Sequence, residues 1–564
     1  MSYRPKPLLT IDVPKSSLSV RPGSVLEIED KIVLFGIACL IAPLLDRKLP
    51  GNVYSWRVKE GTKGKGLFHD HEILKFPFLK SRTIRKRIEF VEPWYGVWPR
   101  FIQDLEYAYE KEGYQFLVVS DIVAYFENID LDLLRNLLLQ YLPRQHRIIN
   151  FLISLLEYWT WPAVHRASAP RGIPQGNEVS SFLGNIYLLP LDRAFIAFAK
   201  RRDLKYLRYM DDIKVLARDM SSARDALFLM NEELRSLRLN IQGSKTRILQ
   251  GPEIRGEFID DRLHAVNEII MKVQKKKTMT PAERTAYLAD LKKYLSSVRG
   301  RKGIVRGNEL RLFRRLMTGF TLPRHSGMVR PVLDQVERNP DSALLGSSVR
   351  YLRAQDRNLK KIAERVAGFL TQDGGLFPYQ KANFFMILRY MRNIPSEAWK
   401  EARRQVSIKK NHWYVRQQAA ILIGLKKMSK REVDAVSRLY EREENTEVKR
   451  GWIIALSQLP RENLEEITRT LIFAADPKLQ RVGRFYHGLL FDRAKGMEQV
   501  KSIFNNFTED TLLEWFYEVE VLSKTKDTHI KTTLLKHLRK ARRSVRRPLL
   551  KDRVEQNLER LREH

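Results

Sequence analysis

"RYMDDIKVL", residues 208–216, is the stretch on which the reading of this chain turns. Apolar and polar residues alternate on both sides of Asp211 and Asp212, as they do in half-buried strands, where successive side chains face opposite sides of a sheet. Two carboxylates set among buried neighbours are costly unless they lie at a turn, accept hydrogen bonds or hold cations. The longer stretch "KYLRYMDDIKVLA" (205–217) therefore predicts a hairpin with the acidic pair at its tip.

Working outward, "FLVVSD" (116–121) is a short apolar run that ends in a carboxylate. Asp130 then suits the N-cap of a helix carrying Leu134, Leu137, Leu138 and Tyr141 on one face. "GNEVSSFLGNIYLLPLDRAFIAFAKR" (176–201) reads as one long helix with Val179, Leu183, Ile186 and Tyr187 together. After the hairpin, Ser221 or Ser222 is expected to cap a helix bearing Leu227, Met230, Leu234 and Leu237, and "KTRILQ" (245–250) closes as a strand. The order is βαββαβ, the split layout of ferredoxin-like sheets, in which the end of the first strand lies beside the hairpin tip. Asp121 would then face Asp211 and Asp212.

A chain of 564 residues exceeds what one core holds, so two to four domains are expected. Lys and Arg number 101 against 66 Asp and Glu, a net charge of +35 that favours a polyanionic partner, and nucleic acid over a membrane because the charge is spread along the chain. The single cysteine, Cys39, excludes an internal disulfide framework and a cysteine-rich zinc site, which makes the reducing cytoplasm the expected compartment. The longest apolar run, "IVLFGIACLIAPLL" (32–45), is short for a membrane span and is expected to be buried. "MSYRPKPLLT" lacks the apolar segment of a secretory signal.

Three carboxylates at neighbouring strand tips are what two-metal phosphoryl transfer needs: ions about 3.5–4 Å apart, held by hard Asp oxygens that suit Mg²⁺. An acidic turn alone would be the bland alternative, and the nearby "ASAPRGIPQGNEVSS" (167–181) argues against it. Together these segments resemble the reverse transcriptases. "SDIVAYFENID" with Asp121 is similar to the family's first metal motif, "RGIPQG" with Gln175 and Gly176 to its second, "YMDD" to its Tyr-x-Asp-Asp, and "GSKTRIL" with Lys245 to its lysine motif. The likeness spans roughly residues 80–250.

The resemblance implies an α+β fingers and palm with a ferredoxin-like βαββαβ core, and an enzyme of the RNA-directed DNA polymerase type. Asp121, Asp211 and Asp212, with the Ile122 carbonyl, would hold two Mg²⁺ ions, Mn²⁺ being a possible substitute. Gln175 and Gly176 would lie against the incoming deoxynucleoside triphosphate, and Tyr209 and Met210 against the primer end. Lys245 would neutralise or protonate the pyrophosphate. Phe126 matches the family's sugar gate, where an aromatic ring leaves no room for a 2′-hydroxyl; the plainer alternative is a core aromatic beside Tyr125. Arg85 and Arg87, in "SRTIRKRIEF", lie where basic finger residues bind triphosphate, with a solvated basic strand as the alternative.

Beyond about residue 340 strand signals vanish. "WYVRQQAAILIGLKK" (413–427), "TEVKRGWIIALSQLP" (446–460) and "PKLQRVGRFYHGLLF" (477–491) repeat weakly: Val415, Val448 and Leu479 correspond at spacings of 33 and 31, as in HEAT-like helical repeats. An irregular bundle is the alternative. The expected division is an N-terminal segment and fingers (1–115), palm (116–255), basic helical connector or thumb equivalent (256–338) and helical repeats (339–564). Arg481 and His487 are treated as a chance pairing in a basic chain, and His412 and His537 as surface residues. A polymerase core followed by helices is similar in layout to the bacterial abortive-infection, AbiK-like reverse transcriptases. That group implies phage defence, homo-oligomers, and DNA synthesis that can be template-independent and protein-primed. The competing readings are a group II intron or retron type enzyme copying an RNA template, and a non-catalytic nucleic-acid-binding scaffold.

Overall fold

The structure is a computed structural model. It describes residues 3–15, 18–58, 91–92, 94–160, 171–258, 260–274, 279–299, 303–356, 359–372, 375–424, 428–456, 461–492 and 528–545, with scattered positions from 494 to 519 and 554 to 562. It divides into two compact units, one of residues 1–11 and 21–261, the other of residues 12–20 and 262–564.

Near the N-terminus are two short strands, β1 (Leu9–Pro14) and β2 (Val20–Val25), and in the first unit helix α1 (Ile28–Asp46) covers the long apolar run. That run is buried on one face only. Leu34, Ala38, Ile41 and Leu45 are in the core, whereas Ile32, Phe35, Leu40 and Leu44 are exposed. Helix α2 (Trp94–Glu110) precedes strand β3 (Phe116–Ser120), and among the described residues α3 (Tyr125–Asn128), α4 (Leu131–Tyr141), α5 (His146–Thr160), α6 (Glu178–Tyr187) and α7 (Leu189–Arg202) follow. Asp130 caps α4 as expected, accepting from the Leu133 amide at 2.9 Å. The single long helix expected over 176–201 is instead two, bent by 46°. Pro190, in the first turn of α7, has no amide to donate and disfavours helical backbone before it, so the helix is broken near Leu188.

The hairpin forms as read, with β4 (Lys205–Tyr209) and β5 (Asp212–Ala217). Helix α8 (Met220–Ser236) is capped by Asp219, whose carboxylate accepts from the Ser222 amide at 2.8 Å; the two serines fall in the first turn rather than at the cap. Strand β6 (Arg247–Gln250) and helix α9 (Pro252–Phe258) complete the unit. The sheet order β4-β5-β3-β6, antiparallel at every seam, is that of the expected split βαββαβ. Alternation splits the strands cleanly. Val118, Tyr206, Ile213 and Val215 enter the larger core with α4 to α8, and Leu117, Val119, Leu207 and Leu216 pack with Phe101 and Leu105 of α2 and Ile254 of α9.

The second unit is helical, and among the described residues no strand follows Gln250. Its named helices among the described residues are α10 (Asp261–Gln274), α11 (Pro281–Ser296), α12 (Gly307–Thr321), α13 (Val329–Arg338), α14 (Ser342–Arg353), α15 (Lys360–Thr371), α16 (Pro378–Leu388), α17 (Ser396–Ser407), α18 (Trp413–Ile423), α19 (Lys430–Glu441), α20 (Thr446–Leu456), α21 (Arg461–Ile472), α22 (Pro477–Phe491) and α23 (Thr528–Ser544). One core runs from Val266 to Leu456, across position 338 without a break. Helices α14, α16, α18, α20 and α22 pack each on the next, and α18, α20 and α22 are the three similar segments, with Val415, Val448 and Leu479 buried in each. Gly451 allows the close approach of α20 to α18, because a Cβ there would come within 2.8 Å of the Gln417 carbonyl. His412 is half-buried and caps α18 through the Tyr414 amide, and His537 stacks on Phe504, so neither is a plain surface residue. Among the described residues no single helix is long and apolar enough to cross a membrane.

Candidate active site

Strand β3 pairs with β5 so that Ser120 lies opposite Ile213, and one further step of this register sets Asp121 opposite Asp212. On the other side of β5, Tyr209 pairs with Asp212, which leaves only Met210 and Asp211 to form the tip. Met210 takes the left-handed conformation this tight reversal requires, at φ +61°. Beyond Asp121 the chain is held by residues that follow α8: Gln242 donates its amide to the Asp121 carbonyl at 2.7 Å, Ile122 bridges Ile241, and the Val123 amide reaches the Asn240 carbonyl at 3.0 Å. Acidic groups ninety positions apart in sequence are thus brought to one end of one sheet.

Their electrostatics follow from that placement. Burial, then the charge of Asp121, then that of Asp212, push the Asp211 carboxyl up to about 6, with Arg21 of β2 partly offsetting the rise. Burial also raises Asp212, against the opposing pull of Lys214. Lys245, in a short 3₁₀ turn at Gly243–Lys245, pairs directly with Asp121, and Lys214 lies 3.2 Å from Asp212. Among the described residues no three His, Cys, Asp or Glu side chains close on one point as a formed metal cage. Asp121 is turned to one lysine and Asp212 to another. The donor chemistry nonetheless suits a hard divalent ion: the carboxylates are oxygen ligands, and Asp211 is destabilised by its neighbours in a way that a bound cation relieves.

The loop that leads to Gln175 and Gly176 packs on the turn that follows Asp121. Gly172 donates its amide to the Ile129 carbonyl at 2.7 Å and Ile173 to the Phe126 carbonyl at 2.9 Å, so the "RGIPQG" loop lies along the turn that carries Phe126. Phe126 is half-buried, its ring edge-to-face with Tyr125 at 5.4 Å. Gln175 is pinned through its backbone: the Ser24 amide donates to its carbonyl at 3.0 Å, and its own amide donates to the Ser24 hydroxyl at 3.2 Å. Gly176 follows at φ +114°, which only glycine adopts easily. Tyr209 stands on Trp98, edge-to-face at 4.9 Å, and beside Phe101 at 5.7 Å. Arg85 and Arg87 lie outside the described residues.

Several residues of the site were missed from sequence. Arg208, fully buried, reaches Asp192 through Nε at 2.7 Å and Nη2 at 2.6 Å, Asn185 Oδ1 at 2.9 Å and the Met210 carbonyl at 3.0 Å; it ties the hairpin tip to α6 and α7. Nothing in the pattern marked Arg208 as buried, since its neighbours read equally well as an exposed strand edge. Lys214 was more legible, because it stands two residues after Asp212 in a strand and therefore on the same face. Ser24 carried no signal.

A family model described as reverse transcriptase (RNA-dependent DNA polymerase) matches residues 65–288. No curated protein matches the chain.

Proposed function

We propose that the chain, whose residues 65–288 match the reverse transcriptase family model, is an RNA-directed DNA polymerase, a nucleotidyltransferase working on nucleic acid and deoxynucleoside triphosphates, and that it extends DNA by two-metal nucleotidyl transfer with Asp121, Asp211 and Asp212 as the metal-holding carboxylates. The observation that carries this reading is the convergence of Asp121 with the hairpin tip across the β3 and β5 register. When bound, two Mg²⁺ ions supply the charge that lowers the barrier at the attacking 3′-hydroxyl and the leaving pyrophosphate. Asp121, Asp211 and Asp212 are the side chains that would hold them, with the Ile122 carbonyl. Lys245 is released from Asp121 to neutralise the pyrophosphate, a role that suits an exposed ammonium on a long side chain. Phe126 excludes the 2′-hydroxyl, and Gln175 with Gly176 presents a fixed backbone to the nucleotide. Tyr209 and Met210 support the primer end, with Trp98 behind the tyrosine ring.

The biological setting we propose is bacterial antiviral defence by abortive infection, acting in the cytoplasm as a homo-oligomer, with synthesis that needs no template and begins on a protein hydroxyl. The support is the layout: a polymerase domain followed by stacked helices of HEAT-like spacing. Purified protein incubated with Mg²⁺ and labelled deoxynucleotides should incorporate label, and Asp211→Asn or Asp212→Asn should bring incorporation to background. No incorporation with any template, or equal incorporation by both variants, rejects the mechanism. Nucleic acid that survives phenol but not deoxyribonuclease would support protein priming, whereas dependence on one co-purifying RNA would favour the retron-like alternative.

A further inference from the structure

Lys214 is out of place by every apolar measure of its strand. Its cross-strand neighbours on that face are Val119 and Leu207, and the lysine is only 5% exposed. A buried ammonium is expensive unless it is paired and hydrogen-bonded, and this one is held on two sides. Its Nζ lies 3.2 Å from Asp212 Oδ1 and 2.9 Å from Glu257 Oε1, while the second oxygen of Glu257 takes Arg247 Nη2 at 2.7 Å. The result is a chain of alternating charge, Asp212, Lys214, Glu257, Arg247, running from the hairpin through α9 to β6. Burial works to raise Glu257, but Lys214 and Arg247 outweigh it and hold the carboxyl below its ordinary range, so the glutamate is a firm anion on which the lysine is anchored.

We propose that Lys214, anchored by Glu257 and Arg247, is a built-in counter-cation of the acidic site: it positions Asp212 and competes with a divalent ion for that carboxylate. The proposal rests on the divalent-ion reading above and adds how loading is set. While Lys214 occupies Asp212, the free protein binds divalent ions weakly, and an ion brought in with the triphosphate displaces the lysine from a carboxylate already held in one place. Lys214 is a positioning residue. It acts through Asp212 and needs no contact with the substrate.

The test uses full-length protein stripped of metal and titrated with Mn²⁺ in the absence of nucleotide, with free Mn²⁺ read by electron paramagnetic resonance. Lys214→Met should tighten Mn²⁺ binding about five-fold, because an ammonium at contact distance no longer competes. The same substitution in an Asp212→Asn background should change affinity by less than about two-fold, since the group through which Lys214 acts is gone. Unchanged or weaker binding in Lys214→Met, or an equal gain in the Asp212→Asn background, overturns the proposal. If melting curves show that Lys214→Met does not fold, Glu257→Gln decides the matter: it frees the lysine for Asp212 alone and should weaken Mn²⁺ binding about three-fold, and unchanged binding overturns the proposal. Absence of any Mn²⁺ binding that Asp211→Asn abolishes would instead reject the underlying two-metal reading, so the two failures are distinct.

Discussion

Asp211 bears the largest electrostatic load of the site. An aspartate titrates near 3.9 in an unfolded chain and near 6 here, so between those values the native state binds the extra proton and stability falls as pH rises; the whole deficit is present above pH 6. Asp211→Asn should therefore raise the melting temperature of metal-free protein at pH 7.5 by about 2–4 °C, an effect that disappears at pH 4. Calorimetry at the two pH values checks it, and a lower melting temperature at pH 7.5 would contradict the burial described. Phe126 makes a separate prediction. Its replacement by alanine should reduce discrimination against ribonucleotides by about 10- to 200-fold in kcat/KM, measured with paired nucleotides on one primer. If discrimination is unmoved, Phe126 serves as a core aromatic against Tyr125.

The hairpin is only as well placed as its supports. Arg208 and Asp192 are both fully buried, and removing one partner leaves the other charge uncompensated. Arg208→Met should cost about 3–5 kcal/mol of stability in urea unfolding, and adding Asp192→Leu should recover part of that loss, because an empty pair of apolar side chains is cheaper than a stranded charge. Arg208→Met should also depress incorporation while leaving the carboxylates themselves intact, since the Met210 carbonyl loses its donor. Element by element, alternation and periodicity were enough to read the four strands of the larger sheet, its hairpin and the Asp130 cap, but not β1 and β2. They did not reveal the bend at Leu188, where Pro190 sits in a segment whose apolar period continues unbroken, nor Asp219 as the cap of α8 in place of the serines after it.

Across the whole molecule, the net charge of +35 should make nucleic-acid binding steeply salt-dependent, with affinity falling by about 10³ or more between 50 and 200 mM salt if six or more phosphates are contacted. A filter-binding or anisotropy series checks this, and a shallow slope would mean that the surplus serves solubility. The acidic centre was legible because its chemistry needs particular residue types at strand ends. Its surroundings were not, because Ser24, Arg208 and Glu257 owe their roles to tertiary neighbours that no local window contains. The helical unit showed its spacing in sequence, but the continuity of its core across position 338 lies in packing between helices, not in any one of them.

Strand β3 sits between β5 and β6, which come much later in the chain, after helices α3 to α7 in the case of β5 and after α8 as well in the case of β6. During translation Asp121 therefore emerges long before anything exists for it to join. A ribosome-bound chain that ends short of residue 211 lacks the hairpin tip, and one that ends short of residue 243 lacks the last strand and the turn that carries Lys245. Premature termination in this stretch is therefore expected to yield fragments that incorporate no label, because the strands that flank β3 are missing.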